Sequence, residues 1–354
     1  MRILIASHWF MKLVVPQQAA ALTELGHEVA ILTGDHSHEF GGDHEERLRH
    51  LAQYGVEVIV MGKQPIPHRS NLRAFPGARR TVRQWSPEVI LAHSNHDMFL
   101  LGCVRGYPMC LTLHDPEPHP GAANRTHLQL LAHDLWIKQA SRLVLHSRQL
   151  VGQLPESLRN DPRLAFIPHG VDVVDRPLEP PESPAVLMFG RLEPYKGIDI
   201  LMSAMRVVWD QRPEVRLIVA GKGPSADEVV DDPRVEFRNR YIPESELPEL
   251  LARASACVLP YTQASQSGVG LLSLAHGIPT VVTNAGGLPD LAVDPDHMAV
   301  SGDHHDLARA LLTALDDGAR ERDTTLEFVR TRFSWPVVAT QYEALATAVV
   351  EAGR

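Results

Sequence analysis

The stretch 186-VLMFGRLEPYKGIDILMSAM-205 joins an apolar run, a glycine-bounded loop with two cations, and the start of an amphipathic helix. Ala185–Phe189 is unbroken apolar, as expected of a parallel strand buried on both faces. Residues 198, 201, 202, 205 and 208 are apolar at helical spacing, which predicts a helix over 198–208 with one buried face. Gly190 ends the strand and Gly197 opens the helix, with Arg191 and Lys196 between them. A loop at the carboxyl end of a strand is where doubly wound sheets bind ligands. Free amides at a helix N-terminus attract anions, and two cations add charged hydrogen bonds. The chemistry suggested is a phosphate or diphosphate. The same residues also suit a solvated charged loop. Glu193 makes the stretch less cationic, and GRLEPYKG is not a Walker-type phosphate loop.

Outward from this unit the same grammar repeats. Strands are predicted at 215–220, 235–237, 256–259 and 280–282 on one side. On the other they are predicted at 2–6, 27–32, 56–61, 89–92, 109–113 and 143–145, with a helix over 16–25 stopped by Gly26. The segment 172-DVVDRPLEPPESP-184 is rich in proline and reads as a linker. The expected organisation is two doubly wound domains facing a cleft: residues 1–170, a linker at 171–184, then 185–333, with a closing helix over 334–354. A chain of 354 residues has room for both.

Composition narrows the partners. The net charge is −9, from 43 acidic and 34 basic residues, which argues against general nucleic-acid binding. Three dispersed cysteines in apolar surroundings suit a reducing compartment. No apolar run approaches the roughly 18 residues of a membrane span, and 1-MRILIASHWF-10 reads as a first strand rather than a signal peptide. The expected location is cytoplasmic. The 19 histidines raise metal binding, yet His36, His38, His44, His93, His96, His114 and His119 fall in no metal-ligand frame, so no metal site is expected. Arg69, Arg73, Arg79, Arg80 and Arg83 lie in a segment without acidic residues. They suit a solvated helix face, or peripheral contact with an anionic membrane surface.

Three blocks carry a resemblance: 186-VLMFGRLEPYKGIDILMSAM-205, 215-VRLIVAGKGP-224 and 257-CVLPYTQASQSGVGLLSLAHGIPTVVTNAGGLPDL-291. In order and spacing they resemble the carboxyl-terminal half of the retaining GT-B glycosyltransferases of family 4 type. The end, 333-FSWPVVATQYEAL-345, resembles that family's closing helix. The first half is similar more weakly, through GHEVAILT, TLHDPEPHPG and FIPHGVD. The resemblance implies an enzyme that moves a sugar from a nucleotide donor, UDP- or GDP-linked, to a hydroxyl. The acceptor classes are a carbohydrate, a lipid-linked acceptor or a small natural product. It implies that Arg191 and Lys196 stabilise the leaving diphosphate without a metal and that His114 contacts the reacting sugar. Gly190, Gly221 and Gly223 would line the nucleotide pocket, although a tight turn alone would also explain the last two. Tyr241 and Ile242 would meet the base.

The chain departs from the family in two places: the loop 7-SHWFMKLVVPQQ-18 lacks the Gly-Gly pair of many relatives, which bears on the acceptor, and the loop after CVLP lacks the family's glutamates. The family's two glutamates, eight positions apart, correspond to Ala264 and Leu272. This chain reads SQSGVG instead, which resembles a recurrent subgroup. Gln266, Ser267, Gly268, Val269 and Gly270 then become the candidate donor contacts. Candidate acceptor contacts are His8, Trp9, His93, Asp115, Glu117 and His119, grouped after the predicted first-domain strands. A carboxylate or imidazole there would orient a hydroxyl or take its proton; a histidine bonded only to backbone is the other reading. Two rival functions stay open: an epimerase or hydrolase on the same fold, and a non-catalytic glycosyltransferase-like subunit.

Overall fold

The computed structural model describes residues 1–7, 14–34, 53–62, 70–93, 96–116, 126–318 and 320–353. His8, Trp9, Glu117, His119 and Arg69 lie outside the described residues, as do His36, His38 and His44. The chain divides into two compact units, Met1–Gly170 with Trp335–Arg354, and Val171–Ser334.

The first unit carries β1 (Arg2–Ser7), β2 (Glu28–Thr33), β3 (Glu57–Val60), β4 (Val89–Ala92), β5 (Met109–Thr112), β6 (Arg142–Leu145) and β7 (Leu164–Phe166). Among the described residues they form one parallel sheet in the order β3-β2-β1-β4-β5-β6-β7. Side chains alternate across it. Leu4 and Ala6 pack with Val82, Leu100 and Trp136 on one face, while Ile3 and Ile5 pack with Leu22, Trp335 and Tyr342 on the other. The closing helix Trp335–Ala352 belongs to this second face, and Tyr342 meets Thr112 of β5 through their hydroxyls at 3.2 Å.

The second unit repeats the plan with β8 (Ala185–Phe189), β9 (Arg216–Ala220), β10 (Val235–Arg238), β11 (Ala256–Leu259), β12 (Thr280–Thr283) and β13 (Met298–Ala299), ordered β10-β9-β8-β11-β12-β13. All pairings are parallel. The helix Ile198–Gln211 buries Ile198, Leu201, Met202, Met205 and Val208, the face its spacing predicts. In both sheets the order reverses beside the first strand, at β1/β4 and at β8/β11. Loops diverge at such a switch point and leave room for a ligand beyond the carboxyl ends.

Two strands escaped the sequence reading. β7 is short and only half-buried, and β13 has two residues, so neither has an apolar run to mark it. The proline-rich segment also differs from a free linker. It groups with the second unit, where the Val174 and Leu178 amides donate to the carbonyls of Ala275 and His276. Cys103, Cys110 and Cys257 are buried thiols. Among the described residues no helix is long and apolar enough to cross a membrane.

Candidate functional site

In the second unit the loops after β8 and β11 meet at the switch point. The β8 loop makes a short turn at Pro194–Lys196 and enters the following helix through Gly197 at φ 65°, ψ 44°. A Cβ at Gly197 would overlap the Pro260 carbonyl oxygen, so this left-handed residue also lets the two loops touch. The Thr262 amide donates to the Tyr195 carbonyl at 2.7 Å and ties them.

Lys196 is only 7% exposed. Its Nζ donates to the Tyr261 hydroxyl at 3.2 Å and stands 4.9 Å from that ring's centroid. Burial pushes the Lys196 ammonium below its usual range, with Tyr195 opposing and Arg191 adding to the shift. Burial pushes the Tyr261 phenol the other way, so it stays neutral. A buried ammonium facing a neutral phenol is a cation whose charge is left for an incoming anion to compensate. Arg191, on the same loop, is exposed.

Ser267 extends this arrangement. Its hydroxyl bonds to Tyr261 and accepts from the Gly270 amide at 3.2 Å, capping the helix Gly268–Ala275. Gly268 and Val269 begin that helix, and its dipole favours negative charge there. Gly190, at φ 109°, packs under Lys196 and Val269: a Cβ on it would lie 3.3 Å from Lys196 Nζ and 3.2 Å from Val269 Cγ2. Gln266 is half-buried on the same loop.

The β9 loop braces the β8 loop from the other side. The Gly190 amide donates to the Ala220 carbonyl at 2.9 Å, and the Leu192 amide to the Lys222 carbonyl at 3.1 Å. A Cβ on Gly221 would overlap the Gly190 oxygen, and one on Gly223 the Leu192 oxygen. Backbone-to-backbone contact thus demands both glycines, before any ligand is considered. Gly221→Ala is expected to destabilise the second unit by about 3 kcal/mol through overpacking. A urea unfolding curve checks this, and an unchanged midpoint would refute it.

Tyr241 follows β10 and is 75% exposed, while Ile242 packs against Leu250 and Leu251. Ala264 is buried beside Tyr261 and Leu271, and Leu272 packs toward Cys257 and Ile278. Both positions corresponding to the family's glutamates are therefore filled by packed apolar side chains.

The first unit presents a row of histidines along adjacent strands. His93 follows β4, His114 follows β5, His146 follows β6 and His169 follows β7. Three of them form a chain. His93 Nε2 lies 2.7 Å from Gln18 Oε1, His93 Nδ1 2.9 Å from His114 Nε2, and His114 Nδ1 3.0 Å from His146 Nε2. His146 Nδ1 ends the chain 3.0 Å from the Ile167 carbonyl. Four bonds between two carbonyl ends need four protons, and three neutral rings carry three. Burial, with neighbouring imidazoles, pushes His93 down to about 3 and His114 and His146 well below their usual value, so the rings are neutral. The count closes when the Gln18 amide turns its NH2 to His93 Nε2. Each imidazole then carries its proton on Nδ1, and all donate toward Ile167. Both His114 nitrogens are committed inside this unit, so a sugar contact through that ring must exchange one of these bonds. His169 donates to the Gly170 carbonyl at 2.7 Å, with its ring centroid 5.5 Å from that of His146. Asp115 is exposed beside the row.

The structure thus brings together Gly190, Lys196, Ser267 and Val269 in one unit, and His93 and His114 in the other. Tyr261, Gln18, His146 and His169 were missed as participants. The histidines had a signal: VILAHS, TLHD, LVLHS and FIPHG all place a histidine just past an apolar run. Tyr261 had none, because a tyrosine after an apolar run reads equally well as core.

Comparison with known proteins gives consistent matches along both halves. Residues 13–175 match the family model described as Glycosyltransferase Family 4, and residues 183–317 match that described as Glycosyl transferases group 1. The chain is 28% identical over 366 residues to a glycogen synthase from Mycobacterium tuberculosis, covering 91% of this chain and 87% of that one. It is 28% identical over 241 residues to a D-inositol 3-phosphate glycosyltransferase from Corynebacterium glutamicum, covering 59% and 57%. In fold it is similar to Anabaena HepE, solved in complex with UDP and glucose, with a TM-score of 0.71 at 18% identity, covering 98% of this chain and 100% of that one.

Proposed function

We propose, from the matches of its two halves to glycosyltransferase family models, that the chain is a GT-B glycosyltransferase of family 4 type that moves a sugar from a nucleoside diphosphate to an acceptor hydroxyl, with retention at the anomeric carbon and no catalytic metal. The observation that carries this reading is the buried Lys196 ammonium, held against the neutral Tyr261 phenol at the switch point of the second sheet. When the bond from the anomeric carbon to the donor oxygen breaks, its electron pair goes to the diphosphate. A fixed cation aimed at that developing charge lowers the barrier. Arg191 adds a second, exposed cation, and the Gly268–Ala275 helix adds its positive end. The acceptor oxygen forms the new bond and loses its proton. The departing diphosphate, now more basic, is a base that can take that proton.

The donor is expected to be UDP- or GDP-linked. A carbohydrate, a lipid-linked acceptor or a small natural product remains the acceptor class. Exposed Leu72, Arg73, Arg80 and Arg83 on the helix Ser70–Trp85 favour the lipid-linked class, because they offer a basic, partly apolar face for peripheral membrane contact. The apolar packing of Ala264 and Leu272 is the one observation that favours a non-catalytic subunit, and the buried Lys196 opposes it.

A thermal-shift series with UDP, GDP, ADP and dTDP tests the reading. One nucleotide should stabilise the protein by about 2.7 kcal/mol at a hundredfold excess over its dissociation constant. Arg191→Ala should reduce that shift without lowering the stability of the free protein. If no nucleotide shifts the transition, the donor-binding reading fails.

A further inference from the structure

We infer that His297, Asp317 and Glu321 form a binding site for a divalent transition-metal ion of the zinc class. The nearest ligand atoms of the three side chains all lie within 4.8 Å of one another. They come from three elements: the turn before β13, the last residue of the helix His304–Asp317, and the residue that precedes the helix Arg322–Arg332. His297 stands at the amino end of edge strand β13, whereas the donor loops leave the carboxyl ends of β8, β9 and β11. The site is therefore separate from the glycosyl-transfer chemistry, and it does not rest on that reading.

The histidine itself is the independent pointer. It is 1% exposed, and neither ring nitrogen has a hydrogen-bond partner among the described residues. Its Nε2 faces Glu321 Oε2 at 3.5 Å, too long for a good hydrogen bond, and that buried oxygen also lacks a partner. Buried polar groups are normally satisfied, so a histidine and a carboxylate left open toward each other point to something between them.

The surroundings agree. Asp294 and Asp317 add negative charge beside Glu321, and the negative end of the His304–Asp317 helix dipole lies there too. The adjacent Arg322 does not neutralise the cluster, because it donates to the Leu178 and Ala254 carbonyls. Arg309 bonds the carbonyls of Asp296 and Met298, on either side of His297, while pairing with Asp306. It thereby holds the turn that presents the imidazole.

One imidazole and two carboxylates suit a borderline ion. Tetrahedral ligands at about 2 Å from such an ion stand roughly 3.3 Å apart. From separations of up to 4.8 Å the ligand atoms would need to close by at most about 1.5 Å, a distance on the scale of a side-chain rotation. The bound ion would clamp edge strand β13 to both helices.

The test uses the full chain stripped with a chelator, titrated with Zn²⁺ by calorimetry and followed by thermal shift, beside Glu321→Gln and His297→Gln. Wild type should take one equivalent and gain thermal stability. Both variants should bind at least about tenfold more weakly, and Mg²⁺ should give no shift. Co²⁺ should give the visible absorption of a tetrahedral site in wild type only. With 19 histidines in the chain, the difference between wild type and variant is the readout. Because His297→Gln disturbs a buried position, Glu321→Gln alone decides if that variant fails to fold. Equal Zn²⁺ affinity in wild type and Glu321→Gln, or no binding to wild type, overturns the inference and leaves His297 and Glu321 as a metal-free pair.

Discussion

Lys196→Ala is expected to lower kcat for sugar transfer by about 10²–10³-fold, the usual cost of losing one preorganised group that stabilises transition-state charge. The effect should fall mainly on kcat, because the diphosphate carries more charge in the transition state than in the bound donor. Lys196→Arg should not restore activity. The ammonium lies over Gly190, beside Tyr261, and a planar guanidinium presents its donors in a different geometry from this compact point charge. Tyr261→Phe should cost about tenfold, since it removes one neutral hydrogen bond to the ammonium and leaves the charge in place. Steady-state release of nucleoside diphosphate, once the screen has named the donor, gives all three values. If Lys196→Ala turns over within a few-fold of wild type, the leaving-group role of this residue is wrong.

Acid should destabilise the first unit well above the range in which carboxylates titrate. Unfolded imidazoles ionise near 6.5, while His93 stays neutral in the folded protein down to about 3 and His146 is also held well below its usual value. Burial is the main cause in both. Below pH 6.5 the unfolded chain therefore binds protons that the folded chain refuses. The stability contributed by these groups is fully present above 6.5 and is lost as pH falls. Each buried ring contributes up to about 1.4 kcal/mol per pH unit, so His93 and His146 together give roughly 3 kcal/mol per unit once below that value. Glu236, held at about 2 by Arg253 and Arg238, acts in a separate window below about 4.5. Unfolding free energies at pH 8, 7, 6 and 5 should be flat at first and then steep. His146→Gln should remove about one ring's share of the slope. A flat profile down to pH 5 would mean the chain of imidazoles accepts a proton when folded.

Much of the architecture was legible in advance because its signals are local. Short runs such as VLMF and LIVA, each ended by a glycine, suit central parallel strands, and the spacing from Ile198 to Val208 suits a helix with one buried face. The loop with Arg191 and Lys196 was legible for the same reason, since glycines mark both of its ends. Burial was not. Nothing in GRLEPYKG says that Lys196 is enclosed while Arg191 is exposed, because that depends on Tyr261, sixty-five residues onward.

By itself the sequence determined two doubly wound α/β units, a phosphate-seeking loop after one strand, and resemblance to a family with a defined reaction. Each follows from patterns within a few residues of one another, where backbone periodicity and steric permission decide. Tertiary structure alone decided that Gly221 and Gly223 are demanded by the neighbouring loop and that Lys196 rests on a neutral phenol. It also decided that histidines from four strands line up and that His297 meets Asp317 and Glu321. Parallel strands set side chains from distant positions side by side at one sheet edge, and no local spacing records which of them will meet.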